Sequence, residues 1–186
     1  MSVIQQMDVT PAKREILEVM LLEDKPASAA QIARDYGKKV PPVMMHLIGL
    51  ARIGYVGSPQ KGQYAITEKG KEAIGIPKID EEAARAILAR RSNEEAFHFY
   101  ACVGNPLECY AHDLQEFSDN VLKVSGDSLE FHVNNGHFEA WFTGLGDVEL
   151  AKKAALLKDK KIVGEDLRQK LRGIVENRRI VLVKLV

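Results

Sequence analysis

The sequence predicts a mainly α fold with one small β-wing: four helices and a hairpin in the N-terminal part, then a mainly helical C-terminal domain. Three observations carry that prediction. Between Ser28 and Gly54, two helix-like stretches are separated by Gly37, a residue that turns a chain with little strain because it has no Cβ. Directly after them, two β-type runs, Tyr55-Val56 and Gln63-Tyr64-Ala65-Ile66, flank the turn segment Ser58-Pro59-Gln60-Lys61-Gly62. From Asp113 onward, apolar residues recur at helical spacing between glycine stops at Gly136, Gly146 and Gly164.

In chain order, Thr10 followed by Pro11 predicts a helix start, with the hydroxyl as cap and proline at the first helical position. Ile16, Leu17, Met20 and Leu21 supply its apolar face, and Asp24-Lys25-Pro26 ends it. Ser28 and Gln31 form a capping box opening a helix through Tyr36. The next helix has Pro41 and Pro42 in its first turn, where a missing N–H is tolerated, and runs to about Ile53 before Gly54. Thr67 caps a short helix after the wing.

Gly75-Ile76-Pro77-Lys78 punctuates the chain and marks the expected boundary between a domain at 1–76, a connector helix within 77–96 and a mainly helical domain at 97–186. Asp80 caps the connector, EEAARAILARR, whose acidic start and basic end both suit the macrodipole. Phe97, Phe99, Ala101 and Val103 alternate as a strand does, broken by Gly104-Asn105-Pro106. Helices are then expected from Asp113 to near Val124, from a capping box of Asp127 and Glu130 to Asn135-Gly136, from Gly146-Asp147, and after Gly164. The terminal run Ile180 to Val186, nearly all aliphatic and largely β-branched, is expected to fill a groove on its own chain or to pair across a dimer.

Over residues 9–76 the order of elements, and the pattern HLIGLARIGYV leading to YAITEKG, resembles the winged helix-turn-helix family, mostly DNA-binding regulators. The resemblance implies a DNA-binding transcription regulator whose second domain senses a signal or dimerises. Over about 97–178, Phe131-His132, Phe138-Glu139, Trp141, Gly146-Asp147 and Leu150-Ala151 resemble an uncharacterised, largely archaeal helical domain, which implies a shared fold and no activity.

Charge gives two partner classes to weigh. The 26 Lys+Arg balance 26 Asp+Glu, so the whole chain has no general pull on a polyanion. Residues 1–78 nonetheless carry 11 basic and 8 acidic side chains, and among them Lys38, Lys39, Arg52 and Lys61 are the candidate phosphate contacts. On the helix of residues 40–52, Val43, Leu47 and Leu50 face the core, whereas the opposite face carries Pro41, Met45, Ile48 and Arg52, flanked by Met44. Only Arg52 there can donate to a base edge. The second reading therefore makes Pro41, Met44, Met45 and Ile48 a docking patch for a protein or ribonucleoprotein partner.

No enzyme is expected, and no cofactor or metal. His98, Cys102, Cys109 and His112 give H-x3-C-x6-C-x2-H, but the paired C-x2-C spacing of common zinc modules is absent, so the expectation is two small buried cysteines and two ordinary histidines. His132 and His137 with Glu130 and Glu139 could form an acid–base pair, yet no nucleophile or phosphate-cradling loop accompanies them. Trp141, Phe131, Phe138 and Phe142 read as core. Without a membrane-length apolar run or the basic-then-apolar order of a signal peptide, and with two cysteines, the expectation is a cytoplasmic chain, homodimeric and free of membrane contact.

Overall fold

A computed structural model describes residues 9–186; the first eight residues, read above for a targeting signal, lie outside the described residues. The fold is mainly helical with two small antiparallel sheets. The chain divides into two compact units, Met1–Lys78 and Ile79–Val186.

In the first unit, α1 (Pro11–Glu23), β1 (Ala27–Ser28), α2 (Ala29–Tyr36), α3 (Val40–Arg52), β2 (Val56–Gln60), β3 (Gln63–Ile66) and α4 (Glu68–Ala73) follow one another. The strands order β1-β3-β2, with Ala27 opposite Tyr64 and Val56 opposite Ile66. Ile16, Leu17, Met20 and Leu21 of α1 are buried with Ile32 of α2 and with Val43, Leu47 and Leu50 of α3, so three amphipathic faces close one core.

Local chemistry explains most of these boundaries and corrects three expectations. The Ser28 hydroxyl accepts the Gln31 N–H at 3.2 Å, but the Gln31 carboxamide donates to Asp35 instead of completing a capping box. Thr10 makes no side-chain cap; Pro11 alone sets the start of α1. The wing turn is also tighter than expected. Ser58, Pro59 and Gln60 continue β2, and only Lys61-Gly62 reverses the chain, with an irregularity between Gly57 and Gln60. Pro59 is admitted because β2 is an edge strand, where a missing donor breaks no ladder bond.

Thr67 caps α4 by accepting the Gly70 N–H at 3.0 Å, and its own hydroxyl donates to the Gly54 carbonyl at 2.7 Å, tying the end of α3 to the start of α4. This brings Gly70 against the backbone. A Cβ there would lie 2.2 Å from the Tyr55 carbonyl oxygen.

The second unit contains α5 (Glu81–Leu88), β4 (Phe97–Cys102), β5 (Asn105–Ala111), α6 (Leu114–Val121), α7 (Gly126–Asn134), α8 (His137–Gly144), α9 (Val148–Asp159) and α10 (Gly164–Val183). The segment expected as a connector contains α5, capped by Asp80, whose Ala84 and Ile87 are buried and which packs on α10. Gly104-Asn105-Pro106 is not a break. Val103-Gly104 is the turn of a hairpin, and Asn105 and Pro106 open its second strand, β5, which pairs His98 with Tyr110 and Phe97 with Ala111. Pro106 again sits in a strand with one neighbour.

Helix α7 is capped by Ser125, whose hydroxyl accepts the Ser128 N–H, and not by Asp127 and Glu130. The expected groove-filling tail is helical too: α10 runs to Val183, with Leu182 buried and Ile180, Val181 and Val183 exposed. No described helix is long and apolar enough to cross a membrane.

Two clusters hold this unit together. Phe97 and Phe99 of β4 meet Phe117 of α6 and Phe138 of α8, Phe142 of α8 meets Phe117, and Trp141 stacks on Phe117 with ring centroids 5.2 Å apart. Between α9 and α10 lies a buried set of charges. Arg178 Nε donates to Asp147 Oδ2 and Arg178 Nη1 to Glu149 Oε2, both at 2.8 Å, while Lys153 Nζ lies 2.8 Å from Glu149 Oε1.

Two variants test these accounts by urea denaturation. Gly70→Ala should cost about 1–3 kcal/mol as the added carbon displaces the Tyr55 carbonyl, and a variant as stable as the parent would refute the close approach. Arg178→Ala, which removes the guanidinium shared by two buried carboxylates, should cost about 3–5 kcal/mol, against about 1 kcal/mol or less for an exposed ion pair such as Arg85–Glu81.

Candidate functional site

The solvent face of α3 is the most distinctive surface of the first unit. Lys39 is its N-cap residue, with Lys38 just before it; Arg52 is its last residue, and Lys61 occupies the wing turn. All four are exposed. Between the charged ends, Val40, Pro41, Met45 and Ile48 are also exposed, Met45 at 70% and Ile48 at 47%. The ridge thus faces solvent as its helical spacing requires. Met44 differs: it is half-buried, and its sulfur accepts the Tyr64 hydroxyl of β3 at 3.6 Å, so it braces α3 against the wing.

No ionisable group lies between Val40 and Arg52 except His46, which is half-buried. The surface is therefore an apolar strip bracketed by cations. Such a strip offers point charges to phosphates at its ends and no directional donors at its centre.

In the second unit the structure separates the residues that spacing had grouped. His98 and His112 sit near one another around the hairpin, each bonded to Asn93: His98 Nε2 to its carbonyl at 3.0 Å, His112 Nε2 to its Oδ1 at 2.9 Å. Cys102, expected to be buried, is exposed, and Cys109 is half-buried with its thiol pushed up by that burial, which opposes thiolate formation. Among the described residues no group of three or more His, Cys, Asp or Glu could hold a metal.

The expected partners of His132 and His137 are not the two glutamates. Glu130 accepts the Gly164 N–H at 2.8 Å, and Glu139 is exposed. His132 is buried beneath the hairpin, where its Nε2 accepts the Tyr100 backbone N–H at 2.8 Å and its Nδ1 lies 3.0 Å from His137 Nδ1. Nε2 is therefore the unprotonated nitrogen, and Nδ1–H donates to His137. Burial first, and then the neighbouring His137, lower the His132 pKa to about 4. This is a structural histidine that ties α7 to β4.

Sequence reasoning missed Glu116. It accepts from both the backbone N–H and the Nδ1 of His112 and from Arg90, and these bonds hold its carboxyl down to about 2. Its spacing from His112, four residues across the start of α6, was the available signal. It also missed the buried Lys153 and Arg178, since charges are rarely placed inside.

No family model, curated protein or solved structure matches the chain significantly. The functional reading rests on the geometry above.

The His132 environment sets a pH dependence. Between pH 6.5 and about 4 the unfolded chain binds a proton that the folded chain refuses, so this contribution is complete above pH 6.5 and lost as pH falls to about 4. The loss should be about 3 kcal/mol. Urea midpoints across that range should fall with acidification in the parent and less steeply in His132→Gln; parallel curves would remove the proton-refusing role.

Proposed function

We propose that the first unit is a winged helix that binds duplex DNA with α3 set across the width of the major groove, and that the chain acts as a dimeric transcription regulator whose second unit senses a signal or dimerises. One observation carries the reading: Lys38, Lys39, Arg52 and Lys61 are all exposed, at the two ends of an exposed helix and at the tip of the adjoining wing. The order α1-β1-α2-α3-β2-β3 supports the winged-helix reading. Helix α3, 13 residues, is about 20 Å long at 1.5 Å per residue, longer than the major groove is wide, about 12 Å. Its charged ends then reach the phosphates on either side while the apolar centre faces the groove floor.

Grip without readout is the expected behaviour. Phosphate contacts position a protein and carry no sequence information, and Pro41, Met45 and Ile48 offer base edges only apolar contact, the thymine methyl being the suitable target. The 70% exposure of Met45 favours a second reading, in which Pro41, Met45 and Ile48, with Met44 behind them, dock a protein or ribonucleoprotein partner.

Anisotropy titration of a labelled duplex at several salt concentrations separates the two. With four phosphates neutralised, log K should fall against log salt with a slope of about −3.6, and the double variant Lys38→Glu, Lys39→Glu should flatten that slope by about 2. Parent-like binding by the charge-reversed protein would defeat the DNA reading. Retention of feeble, sequence-blind duplex binding together with loss of a co-purifying partner in Ile48→Asp would establish the docking reading in its place.

A further inference from the structure

A cavity of about 340 Å³ lies on the second unit, lined by Asn93, His98, Tyr110 and His112. Its volume falls at the lower end of small-molecule sites, about 300–1,000 Å³. The walls come from separate pieces of chain: Asn93 precedes β4, His98 lies on β4, and Tyr110 and His112 lie on and just after β5. His98 and Tyr110 are a cross-strand pair, edge to face with centroids 4.8 Å apart, on the side of the hairpin away from buried Phe97 and Phe99.

The hydrogen bonds decide which polar groups remain for a ligand. The Asn93 carbonyl is occupied by His98 and its Oδ1 by His112, while His112 Nδ1 lies 2.7 Å from Glu116 Oε2. What remains is the Asn93 carboxamide NH2 and the Tyr110 hydroxyl, both able to donate, and His98 Nδ1, an acceptor because Nε2–H is the donor to the Asn93 carbonyl. Arg90, the cation beside the cavity, is already paired with Asp113 and Glu116, so it is not free to draw an anion into the site.

We propose that this cavity binds a small, planar, uncharged heteroaromatic molecule, which lies against the His98 and Tyr110 rings and accepts a hydrogen bond from the Asn93 NH2. The site stands apart from the DNA reading and does not depend on it. A reporter is built in, since Trp141, the one tryptophan, donates its indole N–H to the Glu95 carbonyl at 3.0 Å, two residues from Asn93.

The test titrates the full chain with adenine, and with benzoate as a planar anion, following Trp141 fluorescence and the histidine ring resonances. Adenine should saturate at one equivalent and shift the His98 and His112 rings while leaving those of His132 in place. Tyr110→Ala, a change at a side chain 46% exposed, should weaken binding about tenfold. Asn93→Asp, which keeps an acceptor for His112 and removes the NH2, should weaken it comparably, with circular dichroism confirming that both variants fold. No saturable response to adenine up to about 5 mM, parent-like binding by Tyr110→Ala, or benzoate binding as tightly as adenine would each overturn the proposal.

Discussion

Arg178 is held by two carboxylates from the first turn of α9, and the second unit depends on that arrangement. Removing four charged groups from water costs several kcal/mol per ion, a cost offset only where geometry is good and every lone pair and proton is used. Asp147 meets that condition by dividing its oxygens: Oδ1 caps α9 through the Leu150 N–H at 3.0 Å, and Oδ2 takes Arg178 Nε. Glu149 divides its own between Arg178 and Lys153. The two acids lie at the positive end of the α9 dipole and Lys153 one turn further on, so the set is neutral overall and suited to the helix that carries most of it. The start of α9 and the position of α10 are thus fixed by the same few atoms.

Around that junction, the aromatic cluster does for the hairpin what the charges do for the helices. A two-stranded ribbon is marginal in water without packing on one face. Phe97 and Phe99 supply the packing, and His132 adds the specific polar bond: its Nε2 takes the Tyr100 N–H, while the neighbouring Ser128 hydroxyl donates to the Tyr100 carbonyl at 2.7 Å. Both backbone groups of Tyr100 on the helix side are thereby satisfied by α7. The opposite side of the hairpin is then free to carry His98 and Tyr110 toward solvent.

How much of this was legible follows from which signals are local. Caps, turns and one-sided apolar spacing act within a few residues, so α1 to α4 and the α3 ridge could be read directly; Leu47 and Leu50 are buried and Met45 and Ile48 exposed as their spacing requires. Errors arose where distant contacts override a local preference. Pro59 and Pro106 read as breakers, but edge strands admit them. The run Ile180 to Val186 reads as an apolar tail that fills a groove or pairs across a dimer, yet Leu167, Leu171, Ile174, Val175, Arg178 and Leu182 form one continuous buried stripe at helical spacing. The stripe is legible as far as Val175; its continuation was hidden because the next member, Arg178, is charged. Asp147 was legible as a cap, whereas its second bond, to a residue 31 positions later, was not.

The same contrast between local and distant constraint bears on α3. Nothing in the packing of the first unit requires Met45 or Ile48 to be apolar, because both point away from the core that Val43, Leu47 and Leu50 close. A solvent-facing position under no packing constraint is ordinarily filled by polar residues, which keep a helix soluble. On the proposed DNA reading, an apolar choice there, between Lys38 and Lys39 at one end and Arg52 at the other, has a physical reason: the surface would be covered in the complex. Cations at the margin would then meet phosphates, and apolar side chains at the centre would lie over the flat floor of bases between them.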